Sequence, residues 1–165
     1  MSHKRLYIIR HAKAEDHVLK EKDFDRNLID KGRQRATLIA EKLKQDISSI
    51  DERTLFLSST ASRAAETAEI FSQILGYPTD KIKWEPQIYE AHYLVLLKCI
   101  NEISANYDSL LVFGHNPSLS DLVNYVSDRY VNLKTSNVAC LTLEEDIDYS
   151  ILSANTAHLK KLIDG

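Results

Sequence analysis

Three short apolar runs limit how this chain can fold: Leu6-Tyr7-Ile8-Ile9, Thr54–Leu57 and Leu110-Leu111-Val112-Phe113. A strand with one face in water alternates apolar and polar residues, so an uninterrupted run implies a strand covered on both faces. The segments between the runs carry helical periodicity and can provide that cover. Ala36, Ile39, Ala40, Leu43 and Ile47 step as i, i+3, i+4, i+7 and i+11, the stripe of an amphipathic helix. Ala64, Ala68, Phe71 and Leu75 form a second stripe, with Gly76 before Tyr77-Pro78 as its stop. Leu96, Ile100, Ile103 and Tyr107 form a third, and Leu119, Leu122, Val123, Val126 and Tyr130 a fourth. Asn116 is placed to cap the fourth helix, with Pro117 where a missing N–H costs nothing.

Thr79–Glu90, preceded by Pro78 and containing Pro86, reads as a long irregular connection. Val138–Leu143 and Tyr149–Ala154 flank the acidic segment Glu144–Asp148 and read as a hairpin. Strands alternating with helices predict an α/β fold: a three-layer α/β/α sandwich with a mainly parallel central sheet and an antiparallel edge strand near the C-terminus. With 165 residues, and domains of about 150 residues each, residues 1–165 are expected to form one domain.

Composition narrows the function classes. The 21 Lys+Arg against 24 Asp+Glu give a formal charge of −3, without the basic excess of a nucleic-acid binder. Cys99 and Cys140 lie among apolar residues and have neither a disulfide nor a metal spacing, so they read as buried free thiols. Leu6–Ile9 is too short for the apolar core of a signal peptide, and no apolar stretch approaches the ~20 residues of a membrane span. The expectation is a cytoplasmic protein that binds neither nucleic acid nor membrane.

The chemistry lies just beyond the end of each strand. The first runs into Arg10-His11, the second into Ser58-Ser59 with Arg63 four residues on, and the third into Gly114-His115-Asn116. Ligands of parallel sheets bind beyond the carboxyl ends of the strands. If the three strands are parallel, two guanidiniums, two imidazoles and two helix N-termini converge on one volume, an arrangement suited to phosphate. Taken alone, Arg63 would pair with Glu66 or Glu69 one turn along its helix, and either histidine would be an ordinary hydrogen-bonded residue. Taken together, the group would repel itself without an anion. A zinc site needs a third ligand, a dinucleotide site needs a glycine-rich loop after the first strand, and Ser59 has no glycines bracketing it as in a nucleophile elbow.

Arg10-His11-Ala12 after an apolar strand resembles the signature of the histidine phosphatase superfamily, which includes the phosphoglycerate mutases. Ala12 replaces the usual glycine, as in the bacterial phosphohistidine phosphatase subgroup. Leu28-Ile29-Asp30-Lys31-Gly32 with Ala36, Ser59-Thr60-Ala61-Ser62-Arg63-Ala64 with Thr67, Ile88-Tyr89-Glu90-Ala91, and Gly114-His115-Asn116-Pro117 are similar to later blocks, in order. The resemblance implies that His11 attacks phosphorus to give a phosphohistidine intermediate. Arg10, Arg63 and His115 would hold the phosphoryl oxygens, Ser59 and Asn116 would add phosphate contacts, and Glu90, with Glu85 as fallback, would be the general acid. It implies no metal and no cofactor. The implied partner is a phosphorylated protein, such as a histidine-containing phosphotransfer domain, or a small phosphorylated substrate; a phosphate-binding module without activity is the reading from another class. His17, His92 and His158 read as structural or surface residues; Lys13 and Arg26 could extend the positive rim, with solvated loop charges as the simpler account.

Overall fold

The computed structural model describes residues 3–18, 21–48 and 50–164. In chain order the elements are β1 (Arg5–Arg10), α1 (Asp30–Asp46), β2 (Thr54–Ser58), α2 (Ser62–Leu75), β3 (Lys83–Trp84), α3 (Tyr93–Asn101), β4 (Ser109–Gly114), α4 (Ser118–Ser127), β5 (Val138–Leu143) and β6 (Ala157–Ile163). Six strands form one sheet in the order β3-β2-β4-β1-β5-β6. β3, β2, β4 and β1 are mutually parallel, while β5 runs antiparallel to β1, and β6 to β5.

The uninterrupted apolar runs have the expected cause. Along β1, Leu6 and Ile8 enter a core with α3 and α4, while Tyr7 and Ile9 enter a second core with α1 and α2. β4 divides likewise, Leu110 and Val112 to one side and Leu111 and Phe113 to the other. Helices therefore cover both faces, giving the three layers. Cys99 and Cys140 are buried free thiols, one in each core. No helix among the described residues is long and apolar enough to cross a membrane.

Local structure departs from the sequence expectation at several places. The second strand of the C-terminal hairpin is β6, not Tyr149–Ala154. Residues Tyr149–Ile151 form a 3-10 turn instead. Tyr149 is fully buried, its hydroxyl donates to Arg5 O (2.8 Å), and Asn101 Nδ2 donates to Tyr149 O and Leu152 O, so this segment is fastened into the core beneath α3 and α4. β6 escapes an apolar-run search because it is an edge strand with exposed His158, Lys160 and Lys161. Lysines along an open edge discourage pairing with other chains.

The stretch Thr79–Glu90 is not wholly irregular, since it holds two 3-10 turns and the short parallel strand β3. α3 ends before Ile103, which is nevertheless buried, and α4 ends at Asp128 in a left-handed conformation, leaving Tyr130 84% exposed.

Candidate active site

The carboxyl ends of β1, β4 and β2 are joined by backbone bonds that continue past the strands. His11 N–H donates to Gly114 O (3.1 Å), and Ser59 N–H donates to Phe113 O (3.0 Å). These bonds bring the residues after each strand side by side: the His11 and His115 rings lie 5.3 Å apart between centroids. Arg10, at the last position of β1, pairs in register with Gly114. Arg63 stands in the first turn of α2, only 6% exposed. The convergence expected for Arg10, His11, Ser59, Arg63 and His115 is thus present.

Hydrogen bonding fixes the tautomer of His11, and burial keeps both imidazoles neutral. His11 Nδ1 lies 2.7 Å from Ala12 O. A carbonyl can only accept, so Nδ1 carries the proton and Nε2 of the neutral ring keeps its lone pair. Burial, together with the Arg63, Arg10 and Arg26 guanidiniums, pushes the His11 pKa down to about 4 against an opposing push from the Ala12 bond. His115 is held at about 3 by burial first, then by His11 and Arg63. Both rings are therefore neutral near pH 7. His115 Nε2 bonds to Ser59 Oγ (2.8 Å), which also accepts the Ala61 N–H (3.2 Å).

Around these rings the cationic groups are only partly matched by acceptors. Arg10 Nη1 donates to Leu133 O (3.0 Å), and burial with the nearby Arg63 charge lowers the Arg10 pKa. Arg10 Nε, Arg63 Nε and His115 Nδ1 are buried with no partner among the described residues. Each buried nitrogen without a partner costs about 1–3 kcal/mol, and clustering of three such groups marks a place where an oxyanion is favoured.

Arg63 does not pair along its own helix. Its Nη1 donates to Asp23 O (2.7 Å) and its Nη2 to Asp23 Oδ2 (3.0 Å). Glu66 instead accepts from Leu28 N–H and Arg33 Nη2. The Asp23 carboxylate also accepts from the Tyr89 hydroxyl (2.6 Å) and Arg26 Nε (2.9 Å), and these donors hold it far below the usual carboxylate range, Tyr89 first. The Tyr89 ring stands edge-on to His115, with centroids 5.5 Å apart. Thr67 Oγ1, fully buried, accepts the Ala12 N–H (2.9 Å) and donates to Arg63 O (2.7 Å), joining the loop after His11 to α2. Nothing in the sequence singles out Asp23, and Tyr89 enters only as a member of a family block. Arg26 is not a free solvated charge: it is a partner of Asp23 and adds to the positive field at His11, as a positive rim would, and its Nη1 also donates to Glu15 O (2.6 Å).

Glu90, Glu85 and Asn116 make no hydrogen bond to the side chains of Arg10, His11, Arg63 or His115 among the described residues. Glu90 is exposed and has a left-handed backbone (φ 55°); behind burial and Asp23, it adds to the raising of the Tyr89 pKa to about 12. Glu85 accepts the Gln87 N–H and so caps a 3-10 turn. Asn116 has both polar side-chain atoms engaged. Its Oδ1 accepts from Ser120, and its Nδ2 donates to Leu133 O (2.8 Å). It lies one residue outside the N-cap position of α4, which Pro117 occupies. His92 caps α3, and His158 pairs with Glu144 at the surface. Among the described residues no three His, Cys, Asp or Glu side chains gather as a metal-binding group.

Comparison with known proteins agrees with this geometry. The sequence profile of the histidine phosphatase superfamily (branch 1) matches residues 6–120. SixA from Agrobacterium tumefaciens, assigned as a phosphohistidine phosphatase, is 25% identical with a TM-score of 0.78, and the match covers 100% of both chains. The protein histidine phosphatase SixA complexed with tungstate is 23% identical, with a TM-score of 0.74 over 96% of each chain. A mycobacterial glucosyl-3-phosphoglycerate phosphatase is 13% identical, with a TM-score of 0.67 over 95% of this chain and 97% of its own. The last two likenesses are of fold alone. A search of curated proteins found no significant match.

Proposed function

The chain belongs to the histidine phosphatase superfamily, and on that premise we propose that it is a phosphatase whose nucleophile is Nε2 of His11. The observation that carries the reading is the His11 tautomer: Nδ1–H is committed to Ala12 O, so Nε2 is unprotonated at neutral pH. Nε2 attacks phosphorus and forms an N–P bond as the bond to the leaving group breaks. Water then attacks the phosphohistidine, releasing inorganic phosphate and restoring the neutral ring. Arg10, Arg63 and His115 hold the equatorial oxygens, where charge is carried in the transition state. Ser59 fixes the His115 ring. All of these steps use side chains of the chain itself, without a metal ion, in one domain spanning residues 1–165.

Protein phosphohistidine, as on a histidine-containing phosphotransfer domain, is the substrate this site suits best. Asp23, the carboxylate bonded to Arg63, is held ionised by its three donors and has no proton to give. Glu90 is exposed and makes no hydrogen bond to His11, His115, Arg10 or Arg63 among the described residues. A phosphoramidate needs less acid assistance than a phosphate ester, because the departing imidazole takes its proton at the far ring nitrogen from solvent. A small phosphorylated metabolite is the competing substrate class. The buried free thiols Cys99 and Cys140 suit a reducing compartment, which supports placement in the cytoplasm.

The deciding experiment traps acid-labile phosphate on the wild-type protein and on His11→Ala, with a chelator present. Label on wild type alone supports the mechanism. Binding of phosphate without turnover would make the protein a binding module, and activity lost to chelator and restored by metal would remove the metal-free mechanism. Rates of Glu90→Gln on a phosphohistidine protein and on a panel of alkyl phosphates then separate the substrates. The phosphohistidine reading expects little change on the protein, whereas an equal, large loss on both would make Glu90 the acid.

A further inference from the structure

Segment 133–137, between α4 and β5, wraps the end of β1. Ser136 N–H lies 3.1 Å from both Arg10 O and His11 O, Asn137 O accepts the Arg10 N–H (3.2 Å), and Leu133 O accepts from the Arg10 guanidinium. Leu133 is in turn held by two side chains at the start of α4. Asn116 Oδ1 accepts both the N–H (3.2 Å) and the hydroxyl (2.8 Å) of Ser120, Ser120 Oγ accepts the Leu133 N–H (2.9 Å), and Asn116 Nδ2 donates to Leu133 O (2.8 Å). The ring closes with every proton assigned: the Asn116 amide cannot flip without setting its oxygen against Leu133 O and its NH2 against the Ser120 N–H. Leu133 O therefore faces two donors, Asn116 Nδ2 and Arg10 Nη1.

We propose that Asn116 and Ser120 are positioning residues that set the Arg10 guanidinium through the Leu133 carbonyl. Asn116 thereby acts on the anion at one remove instead of touching it. A guanidinium bonded through one Nη to a fixed carbonyl loses rotation about its terminal bonds, and its remaining N–H groups point one way. Charge-assisted bonds of this kind are the ones whose geometry matters most. The inference rests on the phosphatase reading only where turnover is measured.

The test is a double-mutant cycle read by tungstate affinity, with kcat and KM on an aryl phosphate measured alongside. Asn116→Ala and Ser120→Ala, which open the ring from opposite sides, are each expected to weaken tungstate binding roughly tenfold, the loss of about one charge-assisted hydrogen bond. Arg10→Ala/Asn116→Ala should bind no more weakly than Arg10→Ala. An equal loss from Asn116→Ala in both backgrounds would mean that Asn116 contacts the anion itself, and would overturn the proposal. The Arg10 Nε–H resonance, sharp in the wild type, should broaden in either single variant while the backbone spectrum persists; an unchanged resonance also overturns it. A wild type that binds tungstate without turnover refutes the phosphatase reading and leaves the cycle intact. If tungstate does not bind at all, the resonance alone decides.

Discussion

Replacing Gly32 by alanine should damage both stability and activity, although the residue is far from the proposed nucleophile in the sequence and lies inside a helix. In most helices glycine to alanine is favourable by about 1 kcal/mol. Here a Cβ built on Gly32 would stand 2.2 Å from the backbone oxygen of Lys13 and 3.0 Å from its carbonyl carbon. Real Cβ atoms essentially never come within 3.0 Å of such a neighbour, so at least ~0.8 Å must open between α1 and the loop after His11. That loop has little freedom to yield: Lys13 O accepts the Ile29 N–H, Ala12 N–H donates to Thr67, and Glu15 N–H donates to Asn27 O. Overpacking against fixed backbone costs about 1–3 kcal/mol, enough to lower the melting temperature by several degrees, at roughly 2–4 °C per kcal/mol for a chain of this size. A displacement near 1 Å next to the nucleophile can cost about 100-fold in rate. Urea denaturation and kcat/KM on an aryl phosphate read the two effects. A variant as stable as wild type or more so, with unchanged kcat/KM, would refute the claim that close approach, not chance, puts glycine at this position.

Three further expectations concern the groups around the site. Because His11 and His115 are held at about 4 and about 3, against an ordinary 6.5, the unfolded chain binds protons that the folded one refuses; stability is therefore full above pH 6.5 and falls as pH drops towards 4, by roughly 3 kcal/mol for His11 alone. The wild type should lose stability more steeply than His11→Ala between pH 7 and 4.5 in urea titrations, and equal slopes would contradict it. Thr67→Val leaves the buried Ala12 N–H without its acceptor and should cost about 1–3 kcal/mol, whereas Thr67→Ser should retain most of the stability; Val no worse than Ser would show that the bond contributes nothing. Asp23→Asn removes the charge shared by Arg63, Arg26 and Tyr89 and should lower the unfolding free energy by about 1–3 kcal/mol; unchanged stability would make this cluster energetically idle.

What can be read from sequence divides along a physical line. β1, β2 and β4 announce themselves because burial on both faces demands apolar residues at every position, a signal contained within each element. The parallel pairing of those strands then places Arg10, His11, Arg63 and His115 together with no further information. β6 and β3 stay hidden because edge strands are exposed and polar, and Tyr149 because its role depends on Arg5 O, on the far side of the chain. Sequence assigns Arg63 to its helical neighbours because those are the only partners whose distance it specifies. The actual partner, Asp23, lies forty residues away in a loop rich in acids and bases, where no periodicity singles it out. Arg10 is harder still: it bonds the backbone oxygen of Leu133, and a carbonyl leaves no trace in residue identity.

The positive charge of the site rests on its guanidiniums. His11 and His115 are neutral, so the mutual repulsion expected of the four donors falls on the arginines. The charged groups felt most strongly at the two rings are Arg10, Arg26, Arg63 and Asp23. Three guanidiniums against one carboxylate leave two positive charges, close to the −1.5 to −2 of a phosphoryl group at neutral pH, as order-of-magnitude bookkeeping at about the second phosphate pKa. A chain with a formal charge of −3 that concentrates two positive charges at three strand ends must be more acidic everywhere else. Such a surface repels phosphorylated molecules except at the mouth of the site, so the field that disfavours non-specific contact also directs the anion to His11. Asp23 is central to that balance. On the proposed phosphatase reading, without it the site would carry an extra positive charge that a phosphate product would hold onto, slowing release; with it, Arg63 is oriented and a phosphoryl group neutralises the site without overcompensation.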